Sequence, residues 1–426
     1  MRSANEEMSH IAIPFGSPLY VVAKPAGARC NLACRYCYYL EKARLSSPST
    51  DSPFPYVAAH SQPTDMSDAL LDLFIRQFIE AQTQPQVLFT WHGGEPLLRP
   101  LSFYKRALEL QRRYAGGRQI DNCLQTNGTL LTDEWCEFLS ENGFLVGLSI
   151  DGPEALHNAY RGRSFHRVTR AVSLLNKHGV QWNAMATVNA VNVEHPTAFY
   201  HFFRSLNCQF LQFTPVVERT TDRTDGLTLA SPAQHEAQLT DFSVTPRQWG
   251  SFLCSVYDEW VRHDVGQVFV QLFDSTLANW TDEPSGLCAM SPVCGRSAAL
   301  EANGDVYSCD HFVFPEYRLG NISNQSLTTL LYSERQQQFG HSKLSALPRQ
   351  CRECRFLFAC YGECPRNRFV TDKYGQPGLN YLCQGYYRFF CHVAADMDFM
   401  KAELDAGRPP ANVMRRYMPA PVRESK

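Results

Sequence analysis

A chain of 426 residues with 44% hydrophobic and 19% charged side chains has the composition of a globular protein and is long enough to bury a large core. Its 40 lysines and arginines stand against 42 aspartates and glutamates, so no net field draws it to nucleic acid or to an anionic membrane, and a partner has to be recognised locally. The opening residues lack the apolar stretch of a signal peptide, and no run of about 18 apolar residues predicts a membrane span. The expected compartment is the reducing cytoplasm, where 16 cysteines read as metal ligands before they read as disulfides.

From about residue 19 to residue 217, apolar strand-like runs alternate with amphipathic helical stretches, the pattern of a parallel α/β fold. Strands are expected at 19–24, 87–91, 119–125, 145–150, 181–188 and 209–214, and helices at 67–81, 102–114, 133–142, 165–178 and 196–206. Thr245 followed by Pro246 opens a sixth helix over 246–263. Six such units make an open partial TIM-type (β/α)6 barrel, in which loops after the carboxyl ends of the strands carry function. Those loops hold the unusual residues. Cys30, Cys34 and Cys37 follow the first strand, Gly93-Gly94-Glu95-Pro96 the second and Thr126-Asn127-Gly128 the third, while Ser149 to Gly152 end the fourth. Segments 45–65, rich in Ser and Pro, and 218–244, rich in Thr, Asp and Gln, read as irregular insertions.

Three closely spaced thiolates can hold a [4Fe-4S] cluster and leave one iron open, whereas closed clusters and structural zinc take four ligands. A zinc site completed by a distant histidine is the structural alternative. The run Cys30-Asn31-Leu32-Ala33-Cys34-Arg35-Tyr36-Cys37 resembles the signature of the radical S-adenosylmethionine (SAM) enzymes. The resemblance implies that the three cysteines, with Tyr36 in the motif, hold the cluster that reduces the sulfonium of SAM and releases a 5'-deoxyadenosyl radical. It also implies that the backbone of Gly93, Gly94 and Glu95 receives the SAM ammonium and that Ser149, Asp151 and Gln125 lie toward the ribose. Arg161, or Arg163 after it, becomes a partner for the SAM carboxylate, because guanidinium binds carboxylates in bidentate fashion. Turn-forming polar residues and surface arginines are the ordinary readings of the same positions.

A second, denser set of thiols fills the C-terminal third: Cys288, Cys294 and Cys309, then Cys351-x2-Cys354-x5-Cys360-x3-Cys364 and Cys383. Eight thiols suffice for two fully ligated clusters, with zinc ribbons as the structural alternative. Cys123, Cys136, Cys208, Cys254 and Cys391 lie outside these groups and read as small buried thiols. The C-terminal pattern resembles the SPASM iron-sulfur domain. By that resemblance Cys288, Cys294, Cys309 and Cys364 hold a first auxiliary cluster and Cys351, Cys354, Cys360 and Cys383 a second. The expected organisation is a barrel over 1–264, a SPASM domain over 265–400 and a tail over 401–426.

Within this superfamily the chain resembles the anaerobic sulfatase-maturating enzymes. The likeness is carried by Pro25 to Asn31, Trp91 to Pro96, Gln125 to Leu130, Trp182 to Asn189, Gln212 to Arg219, Cys309 to Phe312 and Tyr361 to Pro365. It implies oxidation of a cysteine or serine to formylglycine in a Cys/Ser-x-Pro-x-Arg segment of a sulfatase polypeptide. Three [4Fe-4S] clusters, SAM as cosubstrate and an external electron donor such as flavodoxin or ferredoxin follow from the same likeness. Asp310, beside Cys309, becomes the base for the target S-H or O-H, with His311 next in line and a solvated loop carboxylate as the ordinary reading. Two rivals share the thiols: a SPASM peptide maturase that forms thioether crosslinks or epimerises residues, and a non-catalytic iron-sulfur or zinc module.

Overall fold

The computed structural model describes residues 18–40, 65–221, 229–232, 234 and 236–418. Of the expected insertion at 45–65, only Asp65 falls within them. Six parallel strands, β1 (Tyr20–Ala23), β2 (Gln86–Trp91), β3 (Gln119–Thr126), β4 (Leu145–Ser149), β5 (Trp182–Val188) and β6 (Phe210–Pro215), lie side by side in chain order. Helices α1 (Asp68–Ala81), α2 (Leu101–Tyr114), α3 (Asp133–Glu141), α4 (Glu154–Arg161), α5 (Phe165–Lys177) and α6 (Pro196–Ser205) return the chain between strands, and α7 (Pro246–His263) follows β6.

Alternation explains the layering. In β2 the side chains of Val87, Phe89 and Trp91 are buried while their neighbours are less so, because strand residues point to opposite faces. Phe89 and Trp91 pack against Phe74 of α1, and Trp91 also meets Phe103 and Tyr104 of α2. Helix starts follow local chemistry. The Ser67 and Thr132 side chains accept backbone N–H groups in the first turns of α1 and α3, and Thr245 with Gln248 forms a capping box on α7. The short helix α4 lies where the sequence carries no long apolar period, and it is absent from the expected elements.

The sheet is larger than the six-strand expectation. After a two-stranded hairpin, β7 (Arg219–Thr220) with β8 (Gln238–Leu239), the strand β9 (Phe269–Val270) pairs with β6. On the other edge β10 (Ser297–Leu300) runs parallel to β1, followed by antiparallel β11 (Asp305–Tyr307) and β12 (Arg318–Asn321). The result is one ten-stranded sheet that continues across position 264. Pairing of β10 covers the β1 edge, which would otherwise expose a row of unpaired backbone groups. It also brings the segment after β11, which holds Cys309 and Asp310, against the side chain of Lys24 that follows β1. A 23-residue helix, Cys383–Asp405, crosses position 400 and packs along α7. The two helices touch at glycines: a Cβ on Gly385 would stand 2.4 Å from the Pro246 carbonyl oxygen. Among the described residues no helix is long and apolar enough to cross a membrane.

Candidate active site

Glu95 ties together the three loops at the carboxyl ends of β1, β2 and β3. Burial raises its carboxyl to about 7, against the pull of three donors: Thr126 Oγ1 at 2.7 Å, Asn127 N at 2.8 Å and Leu97 N at 2.9 Å. The backbone N–H groups of Gly94 and Glu95 donate to the carbonyls of Gly27 and Arg29 at 2.9 and 2.8 Å. Only glycine allows this approach, since a Cβ on Gly94 would lie 2.0 Å from the Arg29 oxygen. Gly93 sits beside it with φ +133°, a conformation open to glycine. From β3, Asn127 Nδ2 reaches Asn31 Oδ1 at 2.9 Å and Cys30 Sγ at 3.7 Å. The Glu95 carboxylate is therefore spent on the fold, and what the loop presents outward is backbone.

Opposite these loops lies a buried ion pair. Asp151, after β4, accepts Arg161 Nε and Thr187 N at 2.9 Å each, and the Tyr36 hydroxyl also donates to it. Arg161 Nη2 lies 3.5 Å from Thr187 Oγ1, and the guanidinium faces Cys34, whose thiol burial pushes up to about 11 while Arg161 pulls it down. Arg161 is thus a buried, fully oriented cation, correcting the surface reading, whereas Arg163 is exposed. Ser149 is buried at the last position of β4. Gln125 turns toward His92, with which it shares a hydrogen bond.

A second polar centre joins segments that sequence reading did not connect. The Asp310 carboxylate forms an ion pair with Lys24 and accepts the Tyr38 hydroxyl. Lys24 is fully buried, with its ammonium 3.5 Å from the centre of the Tyr39 ring. Burial alone would raise the Asp310 carboxyl; the Lys24 ammonium, above all, holds it far below the usual range. Burial keeps both histidines near 4, hence neutral at pH 7. Arg366, bonded to Glu218, lies over the Tyr38 ring at 5.2 Å. Lys24, Tyr38, His92 and Arg366 were not singled out from sequence. The available signals were a lysine ending an apolar strand and a tyrosine pair directly after the triad.

The eight C-terminal thiols fall into two groups. Cys364 lies in the field of Cys294, Cys309 and Cys288, and Cys309 in that of Cys288 and Cys294. Cys360 lies in the field of Cys383 and Cys351, and Cys383 in that of Cys351 and Cys354. Among the described residues no three Cys, His, Asp or Glu side chains gather closely enough to hold a single ion; a four-iron cluster carries each thiolate on a different iron. Cys391 departs from the buried reading: it is exposed, and Arg355 donates to its sulfur at 3.2 Å. Cys123 is partly exposed, while Cys136, Cys208 and Cys254 are buried.

Comparison with known proteins agrees with this geometry. Residues 25–203 match the radical SAM superfamily and residues 288–355 the SPASM iron-sulfur cluster-binding domain. A serine-type anaerobic sulfatase-maturating enzyme of Bacteroides thetaiotaomicron is 58% identical, the alignment covering 94% of this chain and 96% of that one. The chain belongs to the anaerobic sulfatase-maturating enzymes. A cysteine-type member from Clostridium perfringens is 31% identical over 88% of this chain and 95% of its own. The structure of native anSMEcpe with bound AdoMet and Cp18Cys peptide superposes with a TM-score of 0.77 at 29% identity, covering 91% of this chain and all of that one. As a radical SAM sulfatase-maturating enzyme the protein uses SAM and [4Fe-4S] clusters, and its residues fit both groups. The Cys30 loop offers three thiols. Its other polar neighbours are Asn127 and the guanidinium of Arg161, which suits an anionic ligand, and the carboxylates Glu95 and Asp151 are already taken by internal donors.

Proposed function

We propose that this enzyme oxidises a serine in a Ser-x-Pro-x-Arg segment of a sulfatase polypeptide to formylglycine, with Asp310 as the base. In this reading Cys30, Cys34 and Cys37 hold the cluster that binds SAM. Cys288, Cys294, Cys309 and Cys364 hold a first auxiliary cluster, and Cys351, Cys354, Cys360 and Cys383 a second, three in all. When bound, these groups supply the radical that removes a β-hydrogen and the acceptor for the second electron. The chain does the rest. Carbonyls of the Gly93 to Glu95 loop receive the SAM ammonium, and Arg161 receives the carboxylate. The Asp151 carboxylate, already filled by Tyr36, Arg161 and Thr187, aims Arg161; Ser149 is left facing the ribose. Asp310 takes the hydroxyl proton as the carbon–oxygen double bond forms. A SPASM domain that begins after residue 264 and shares the barrel's sheet, a flavodoxin or ferredoxin as electron donor and a cytoplasmic location belong to the same proposal, while the expected limit at 400 falls inside the helix Cys383–Asp405.

One observation carries the assignment of the base: Asp310 adjoins Cys309 yet is held by Lys24 from the end of β1 and by Tyr38 directly after Cys37. A carboxylate at the meeting point of the two thiol groups can serve both halves of the oxidation. Serine as the target is supported by the 58% identity to a serine-type enzyme, against 31% to a cysteine-type one. The test is anaerobic incubation of the reduced, iron-loaded enzyme with SAM and paired serine and cysteine peptides, with aldehyde captured by a hydrazide. Aldehyde from the serine peptide is expected. Aldehyde from the cysteine peptide alone would overturn serine as the target, and SAM cleavage without aldehyde from either would overturn the reaction.

A further inference from the structure

The helix Glu334–Ser345 buries a stripe that is not apolar. Its buried residues are Gln336, Gly340 and Lys343, spaced along one helical face. A face turned inward normally carries leucine or valine, so the stripe has another reason to be polar. That reason is visible in its contacts. Gln336 Nε2 donates to the carbonyls of Gly295 at 2.9 Å and Ser308 at 3.0 Å. The Gly340 carbonyl accepts Cys294 N at 3.1 Å, and a Cβ on Gly340 would lie 2.6 Å from the Cys294 oxygen. Lys343 Nζ donates to the carbonyls of Cys288 at 2.6 Å and Ala289 at 2.8 Å. One helix face thus grips the backbone at or beside Cys288, Cys294 and Cys309.

Lys343 is fully buried. Among the described residues its ammonium forms no ion pair with a carboxylate: both bonds go to carbonyls, and the acid in its field, Glu363, is bonded to Asn367 and Asn380. An ammonium buried without a bonded counterion is expensive. The other acidic groups within its field are the Cys288 and Cys294 thiols, which would be thiolates once they held the proposed cluster. Arg368 adds to the pattern. It donates to the Gly362 and Tyr361 carbonyls at 2.9 and 2.7 Å and lies in the field of Cys294, Cys364 and Cys351, between the two thiol groups.

We infer that Lys343 is a positioning and charge-compensating residue for the first auxiliary cluster: its fixed positive charge stabilises the reduced cluster and makes it the ready acceptor for the substrate's second electron. The physical step is simple. A cluster bound by four thiolates is anionic, reduction adds one more negative charge, and a buried cation nearby favours that state. The inference rests on the proposal that Cys288, Cys294, Cys309 and Cys364 hold a cluster.

The experiment is an EPR-monitored redox titration of the reconstituted holoenzyme with SAM bound, comparing wild type with Lys343→Gln and Lys343→Arg. Glutamine keeps a donor, one atom nearer the backbone, and removes the charge. The expected result is a fall of about tenfold or more in the reduction equilibrium of the first auxiliary cluster, which is 59 mV for one electron, with the other two clusters unmoved and the arginine variant near wild type. Formylglycine per deoxyadenosine should fall in parallel. An unchanged potential in the glutamine variant overturns the inference. If that variant loses the cluster, shown by its iron count, the arginine variant decides, because retained charge has to restore cluster and potential, and failure to do so also overturns it. A wild-type enzyme with no cluster at these four cysteines refutes the underlying ligand assignment instead, and the inference falls with it.

Discussion

Replacing Asp310 by asparagine should separate radical formation from oxidation. Asparagine keeps the size of the side chain and an oxygen for the Tyr38 hydroxyl, but it cannot take a proton and it removes the partner of Lys24. Loss of a general base costs about 10²- to 10⁴-fold, or about 3 to 5 kcal/mol of barrier. The substitution carries a second cost of similar size, because stripping one partner from a buried ion pair destabilises by about 3 to 5 kcal/mol. A paired Lys24→Met change removes the stranded ammonium and should recover most of the stability while leaving oxidation abolished. The assay follows deoxyadenosine and formylglycine in the same anaerobic reaction, with a melting temperature for each variant. SAM cleavage should persist in the single and double variants as formylglycine falls steeply. If Asp310→Asn makes formylglycine at the wild-type rate, or if the double variant regains it, Asp310 is not the base and His311 becomes the next candidate.

Alanine at Cys30, Cys34 and Cys37 together should remove one cluster of the three, seen by iron analysis, and abolish deoxyadenosine formation while the auxiliary clusters remain. Gly94→Ala should part the two loops that meet at Arg29; a SAM affinity at least about tenfold weaker at unchanged iron content, read by equilibrium binding, is the expected outcome. His157 is held near 4 by burial, below its unfolded value of about 6.5, so the unfolded chain binds the extra proton first and stability is lost as pH falls through that window. Between pH 7 and 5.5 this one group should cost about 1 kcal/mol, and the melting temperature of a His157→Asn variant should fall less over that interval than the wild type's.

The barrel was legible because β2 to β6 span five to eight residues, long enough to alternate, and its helices carry caps such as Ser67, Thr132 and the Thr245 box. The continuation of the sheet was not, since β10 to β12 span only three or four residues each and so carry no readable period. The candidate thiols were legible from spacing. Their supporting groups were hidden for a different reason: Tyr38 and Asp310 lie 272 positions apart and meet only when β10 pairs with β1. Arg161 reads as a surface arginine in a short polar segment, and its burial depends on Asp151 across the loop. The polar stripe on Glu334–Ser345 looks like a solvated face until the cysteine segments are laid against it.

The central claim is that a β-hydrogen of serine is taken by the SAM-derived radical and the carbon is left as an aldehyde. A sulfatase peptide carrying serine deuterated at the β-carbon tests it directly, in anaerobic turnover with the reduced enzyme and SAM. Deuterium should appear in 5'-deoxyadenosine, in step with a peptide that has lost the mass of one deuterium and one hydrogen and reacts with a hydrazide. Deoxyadenosine free of deuterium, or a labelled cofactor product beside a peptide without an aldehyde, would contradict the account.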